Sequence, residues 1–161
     1  MRPSHALLML LVAVSSVTGC SSASRAIGGG PSPDGAPASF VGLGLESGTA
    51  YTIQVREGLS RAAAWRALTD YLSQRHTIAV RDQNAGFAMT AWEASFTRDG
   101  VPDLRYRTRV VITYLGDWRQ LHVRAEANWK DGDDWQVGVD RDLLARTVGE
   151  LQSRVGAAGA R

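Results

Sequence analysis

The strongest constraint on the fold is a long alternation of apolar and polar residues on both sides of Gly116-Asp117. Almost every second residue is apolar, which is the period of a strand with one buried face. If residues 116–117 form a two-residue turn, the strands pair so that Val110 lies opposite Val123. The sequence therefore predicts a long antiparallel hairpin with one face toward the core and one wet face.

The wet face of this hairpin is rich in arginine. The same register places Arg109 opposite Arg124 and Arg107 opposite Glu126, with Arg105 farther along the strand. Like charges directly opposite each other are mildly destabilising. An ordinary solvated face and a surface for an acidic partner or an anionic headgroup both fit this pattern. We take Arg105, Arg107, Arg109 and Arg124 as the candidate partner-binding face.

Further strands and helices follow from the pattern between residue 50 and the C-terminus. Ser60 caps a helix to about residue 74, whose apolar stripe is Ala62, Trp65, Leu68 and Leu72. Asp140 caps a second helix. Strands are predicted at 51–56, 78–80 and 87–95, and a turn-rich loop at 130–135. The order β-α-β-β-β-β-α predicts an α+β domain of the helix-grip type, an antiparallel sheet with two helices on one face.

The N-terminus has the pattern of a secretory signal peptide. Arg2 precedes a nine-residue apolar stretch from Ala6 to Val14, which is too short to span a membrane. Val17-Thr18-Gly19-Cys20 then has the form of a lipobox, and Cys20 is the sole cysteine of the chain. This site resembles those of bacterial lipoproteins, in which the cysteine is acylated and becomes the new N-terminus. Ser21 follows in place of an aspartate, so the resemblance favours the outer membrane, facing the periplasm.

Composition divides the chain into three parts. Residues 1–19 are the predicted signal peptide, residues 20–39 are the lipidated cysteine and a Ser-, Gly- and Pro-rich linker, and residues 40–161 are one domain. Residues 40–48 fit either an edge strand or the end of the linker. Removing the signal peptide takes away one arginine and no acid, so the net charge falls from +2 to +1. That balance excludes a strongly basic nucleic-acid binder.

The sequence contains no pattern typical of catalysis, and we predict no cofactor, no metal and no catalytic residue. His76 and His122 have no nucleophile that the predicted pairing brings beside them. Asp131, Asp133 and Asp134 share one loop that fits a solvated turn better than a cation site, because the ligand order of an EF-hand is missing. Most of the five tryptophans are predicted to pack in the core or at sheet edges.

One segment resembles a known family. Residues 62–92, which read AAAWRALTDYLSQRHTIAVRDQNAGFAMTAW, are similar to the domain pattern of the BamC lipoproteins of the outer-membrane β-barrel assembly machinery. The shared positions include Trp65, Val80, Asp82 and Gly86. The resemblance implies a non-enzymatic accessory role among outer-membrane assembly proteins. The family has two such domains and a long N-terminal segment that docks on the lipoprotein BamD, whereas this chain has one domain and a short linker.

A second function from another class is a periplasmic carrier of lipids or other hydrophobic ligands. A helix-grip domain can enclose an apolar cavity beneath its long helix. A cavity lined by Phe87, Met89 and Tyr106 would favour this alternative.

Overall fold

A computed structural model describes residues 35–42, 50–96 and 99–158. The predicted signal peptide at residues 1–19, Cys20 and most of the predicted linker lie outside this part of the chain. The described residues form, in order, β1 (Phe40–Gly42), β2 (Ala50–Gln54), α1 (Arg61–Arg75), β3 (Ile78–Asp82), β4 (Phe87–Thr90), β5 (Glu93–Phe96), β6 (Pro102–Leu115), β7 (Gln120–Asp131), β8 (Asp134–Asp140) and α2 (Arg141–Val155). All strand pairs among them are antiparallel, so the domain is α+β as predicted.

The two longest strands, β6 and β7, form the middle of the sheet. Near the turn that joins them, β4 pairs with β6 and β2 pairs with β7. Farther from the turn, β5 takes the place beside β6 and β8 takes the place beside β7. We call this second region, where β6 begins and β7 ends, the distal end of the sheet.

The register of the central hairpin differs from the prediction by two residues. Leu115 pairs with Gln120, so the turn contains four residues, and Val110 lies opposite Ala125. Consequently Arg109 lies opposite Glu126, and its predicted pairing with Arg124 is wrong. A shift of two residues preserves the faces of both strands, because side chains alternate with a period of two.

Trp118 explains the longer turn. Its ring stacks on Tyr114 at a centroid distance of 4.4 Å and meets Trp65 edge-on at 5.9 Å. To reach this position, the chain holds three successive residues, Gly116, Asp117 and Trp118, at φ values of 56°, 54° and 70°. A bulky side chain in the left-handed region is uncommon, and aromatic packing holds it there.

The main core lies between the two helices and one face of the sheet. Ser60 caps α1 as predicted, since its side chain accepts a hydrogen bond from the Ala63 amide at 3.2 Å. Ala62, which was assigned to the apolar stripe, is exposed. Both helices belong to one buried cluster, which includes Trp65, Leu68, Tyr71, Leu72, Leu144, Leu151 and Val155 with Val110, Ile112, Leu121 and Val123 of the sheet. We call this side of the sheet the helix-covered face.

A smaller core lies toward the distal end, where Phe40 and Ala127 pack with Tyr106 and Trp129. The carboxylate of Asp140 joins it to α2. This carboxylate accepts hydrogen bonds from the Tyr106 hydroxyl at 2.7 Å, from Ser39 Oγ at 3.1 Å and from the Leu143 amide, at the start of α2, at 2.8 Å. Burial, and then the bond to Asp140, raise the pKa of Tyr106.

These contacts extend the ordered domain into the predicted linker, because Ser39 and the nearby Ala36 contact it directly. Within residues 40–48, Phe40–Gly42 form β1 and residues 43–49 lie outside the described part.

Two further predicted boundaries were wrong. The predicted strand at 87–95 is two strands, β4 and β5, separated by Ala91 and Trp92. The predicted loop at 130–135 is the tight end of a hairpin, in which Asp131 pairs with Asp134 and β8 continues to Asp140.

Candidate interaction surface

The face of the sheet opposite α1 and α2 carries the predicted arginines; we call it the open face. Side chains at odd positions of β6 and even positions of β7 point to this side, because the neighbouring positions are in the helix-covered core. Arg107, Arg109 and Arg124 therefore share the open face, as the sequence predicted.

Two tryptophans, Trp92 between β4 and β5 and Trp135 in β8, order these arginines. The guanidinium of Arg107 lies between the rings of Trp92 and Trp135, at 5.1 and 4.2 Å from their centroids. The guanidinium of Arg109 also lies over the Trp92 ring, 4.5 Å from its centroid. We call these four residues the arginine–tryptophan stack. Each cation–π contact contributes about 0.5–2 kcal/mol, so the stack fixes the arginines without burying them in a core.

One carboxylate, that of Glu126, serves two arginines. It accepts from Arg109 Nε and Nη2 at 2.7 and 2.6 Å, and its other oxygen lies 3.1 Å from Arg124 Nη2. The predicted repulsion between Arg109 and Arg124 is thus replaced by a shared ion pair.

Arg107 has no carboxylate within 4.0 Å among the described residues. Its Nε is buried and has no hydrogen-bond partner there. One orientation of the Asn128 side-chain amide makes two hydrogen bonds. Its oxygen accepts from Arg107 Nη2 at 3.2 Å, and its nitrogen donates to the Ala127 carbonyl at 2.9 Å. Two ring faces and a neutral amide therefore surround a full positive charge. The edge of a stacked guanidinium presents its donors in the geometry that suits a carboxylate.

Arg105 does not join the other three predicted arginines. It pairs with Asp103 at 3.5 Å, and its guanidinium lies 4.9 Å from the ring of Trp129. Trp129 belongs to the smaller core on the other side of the sheet. Of the four arginines predicted to share one face, the structure brings together Arg107, Arg109 and Arg124.

The sequence analysis missed Trp92 and Trp135 as parts of this surface. Both were expected to pack in the core or at an edge, and Trp135 was placed in a loop. An alternating pattern at 135, 137 and 139, opposite the open-face positions of β7, is the signal that would have revealed it.

His76 joins the end of α1 to the sheet through a glutamate. His76 Nδ1 lies 2.9 Å from Glu93, whose other oxygen accepts from the Thr77 amide at 2.8 Å. This arrangement ties the end of α1 to β5. His122 lies opposite Thr113 within the sheet. Nowhere in the described ranges do three His, Cys, Asp or Glu side chains gather to hold a metal, and Asp131, Asp133 and Asp134 are all exposed.

The cavity that would have favoured a lipid carrier is not formed by the three side chains named for it. Met89 pairs with Val111 and Phe87 with Thr113, so both belong to the open face. Tyr106 lies at an even position of β6, on the helix-covered face. The sheet itself separates them.

No helix within the described ranges is both long and apolar enough to cross a membrane. No protein-family model matches this chain, and no curated protein is significantly similar to it.

Proposed function

We propose that this protein is a non-enzymatic interaction module, anchored by a lipid on Cys20 to the outer membrane and facing the periplasm. Its open face binds an acidic surface of a partner protein. The observation that carries this proposal is Arg107, an ordered arginine beside which the described part of the chain places no carboxylate.

The charge of the open face supports an acidic partner. Glu126 is shared by Arg109 and Arg124, so it offsets only one of their two charges. Arg107 adds a further positive charge, and Lys130, opposite Trp135, lies on the same side. A carboxylate of the partner that reaches Arg107 replaces water around a guanidinium that is already held between two rings. Little side-chain entropy is then lost on binding.

The lipobox and the resemblance to the BamC family support the anchored, accessory part of the proposal. In that family the domains are of the helix-grip type. Here α1 and α2 lie on one face of the sheet and contact each other through Tyr71 and Thr147, whose hydroxyls are 3.3 Å apart. We infer the same helix-grip arrangement, and partners among outer-membrane assembly proteins.

Affinity purification of the anchored protein with Arg107→Gln tests the proposed face. A charged hydrogen bond contributes about 1.5–3 kcal/mol, so we expect recovery of the partner to fall by about tenfold or more. Recovery from the wild type should also fall as salt rises. Arg66→Gln is the matched control, because Arg66 is an exposed arginine of α1, away from the open face. An Arg107→Gln protein that melts like the wild type and recovers every partner at wild-type yield would contradict the proposal.

The anchor is tested by changing Cys20 to Ala. The variant should either enter the soluble periplasmic fraction or accumulate as an unprocessed precursor. A processed variant that still fractionates with the outer membrane would show that acylation of Cys20 is not the anchor.

A further inference from the structure

Large apolar side chains are exposed where β5 meets β6 at the distal end. Leu104 is 78% exposed, Phe96 is 66% exposed and Val101 is 58% exposed. Phe96 lies opposite Pro102, so the residues come from one short hairpin. We call Phe96, Val101 and Leu104 the apolar hairpin end. Single exposed apolar residues are ordinary, but three in one hairpin indicate a contact site.

The register explains why these residues contribute to neither core. Tyr106, rather than Leu104, lies opposite Trp129 and fills the smaller core. Between Ala94 and Ser95 the pairing of β5 with β6 shifts, and the Arg105 amide donates to Asp103 Oδ1 at 3.0 Å, which bends β6 locally. The apolar hairpin end is therefore displaced beyond the packed part of the sheet.

The chain enters the described domain close to this hairpin. A Cβ built on Gly35 would lie 3.8 Å from Cζ2 of Trp129, and the guanidinium of Arg105 lies 4.9 Å from the same ring. Arg105 is the neighbour of Leu104 in the strand. The point where the N-terminal segment reaches the domain and the apolar hairpin end therefore share one corner of the molecule.

That segment is short. Fourteen residues lie between Cys20 and Gly35, and a Gly- and Ser-rich chain of this length has an r.m.s. span of roughly 20 Å. A lipid on Cys20 would thus hold this corner near the membrane surface. A tethered group meets the bilayer at a high effective concentration, so a weak apolar contact is sufficient.

We propose that the apolar hairpin end is a second membrane contact, which places Phe96 and Leu104 at the boundary of headgroups and acyl chains. This inference rests on the lipid anchor of the proposed function. The occupant is the surface of a lipid bilayer, because the tether brings that surface to this corner and an interfacial contact needs exposed apolar area rather than a shaped groove.

The charges at this end predict which lipids are preferred. Asp131, Asp133 and Asp134 are exposed in the neighbouring β7–β8 turn, and Asp103 pairs with Arg105. These carboxylates repel anionic headgroups and attract the ammonium group of phosphatidylethanolamine. We therefore expect the contact to be stronger on zwitterionic than on anionic vesicles.

A fluorescent reporter on β6 tests the proposal in the lipidated full chain. Leu104→Cys and Leu115→Cys each supply one free thiol, since acylation blocks Cys20, and both replace an exposed leucine of the same strand. The two positions are eleven residues apart, or about 36 Å in an extended strand. Each thiol is labelled with an environment-sensitive dye, and the protein is reconstituted into phosphatidylethanolamine vesicles.

We expect the dye at residue 104 to shift to the blue and to be quenched by nitroxide-labelled lipids, whereas the dye at residue 115 stays in water. Adding Phe96→Asp, or replacing half of the lipid by phosphatidylglycerol, should reduce the signal at residue 104 severalfold. A water-like spectrum at residue 104, or equal spectra at both positions, would overturn the second contact. So would a shift that occurs only when a partner protein is added, because the patch would then be a protein-docking site.

Flotation of the unlabelled chain with vesicles separates this proposal from the anchor. If the chain floats while the dye at residue 104 stays in water, the lipid anchor is supported and only the proposal of a second contact is refuted. If the chain does not float, the lipid anchor is refuted, and the proposal of a second contact, which rests on that anchor, is refuted as well. Neither result depends on Arg107→Gln, which tests the open face.

Discussion

The two faces of the β6–β7 hairpin order their side chains by different means. On the helix-covered face, Val110, Ile112 and Val123 are fully buried beneath α1 and α2. On the open face, Arg107 and Arg109 are ordered by tryptophan rings and by Glu126. Burial of apolar area stabilises the first face. The second is ordered while part of it stays accessible, which is what a binding surface requires.

The difference between the faces is not simply apolar against polar. Val111 points to the open side, yet it is only 3% exposed, because β4 and β7 flank it with Met89 and Arg124. The long side chains of the open face therefore cover apolar residues beneath them. On the predicted wet face, the aliphatic stems of long polar side chains cover the sheet, as the helices cover it on the opposite face.

The largest effect should come from a charge on the helix-covered face. Val110→Asp places a carboxylate in the main core without a partner, which should destabilise the fold by about 4 kcal/mol or more. Thr113→Asp, on the open side of the same strand, should cost less than about 1 kcal/mol. Urea unfolding of the two variants measures this difference. Equal midpoints with equal slopes would show that the faces are assigned wrongly.

A second comparison uses one tryptophan from each face. Trp118→Ala removes the stack on Tyr114 and the contact with Trp65, and should destabilise the fold by about 3 kcal/mol. Trp135→Ala removes a ring that is 39% exposed and contacts Arg107, so the loss should stay near 1 kcal/mol. Thermal melts and urea titrations measure both. A larger loss for Trp135→Ala would mean that the open face, too, supports the fold.

Alkaline pH should weaken the helix-covered face selectively. Burial raises the pKa of Tyr114, and burial together with Asp140 raises that of Tyr106, above the ordinary value of 10.0. Between pH 10 and the folded pKa, the unfolded chain loses these protons while the folded chain keeps them, so stability falls as pH rises. The loss is about 1.4 kcal/mol for each tyrosine at pH 11.

Urea unfolding at pH 9 and pH 11 measures this loss in the wild type and in a Tyr106→Phe, Tyr114→Phe double variant. The double variant should be less stable at pH 9 but should lose less between the two pH values. An equal loss in both proteins would assign the alkaline sensitivity to other groups.

The smallest expected effect concerns like charges across a strand pair. The repulsion predicted between Arg109 and Arg124 is absent, but Asp131 and Asp134 lie directly opposite each other. Asp134→Asn should therefore stabilise the fold by about 0.2–1 kcal/mol at neutral pH. Added salt should narrow this gain, because screening weakens the repulsion in the wild type. A variant no more stable than the wild type at low salt would show that solvent already screens the pair.

Alternation within a strand was enough to predict the hairpin and the shared face of Arg107, Arg109 and Arg124, because a period of two survives a two-residue shift. Arg105 was placed wrongly, since its guanidinium lies against Trp129 on the other side of the sheet. It was not enough to predict cross-strand partners. Those depend on turn length, and the turn is set by Trp118 on Tyr114, a contact that is invisible in the local pattern. The local pattern likewise predicted the arginines but not the tryptophans that stack on them, because those contacts join segments that are distant in the sequence. Trp92 reaches Arg107 from the link between β4 and β5, whereas Trp135 reaches it from β8, which was hidden by the acidic turn that precedes it.

Asp140 has a mechanical consequence. Its carboxylate binds Ser39 next to β1, Tyr106 of β6 and the first turn of α2. Tension on the chain preceding Gly35 would reach β1 first, and β1 pairs over only three residues. Peeling it away would remove one donor from Asp140 but leave the carboxylate holding sheet and helix together. A load on the N-terminal segment would therefore act on a three-residue strand and the smaller core behind it before it acts on the main core.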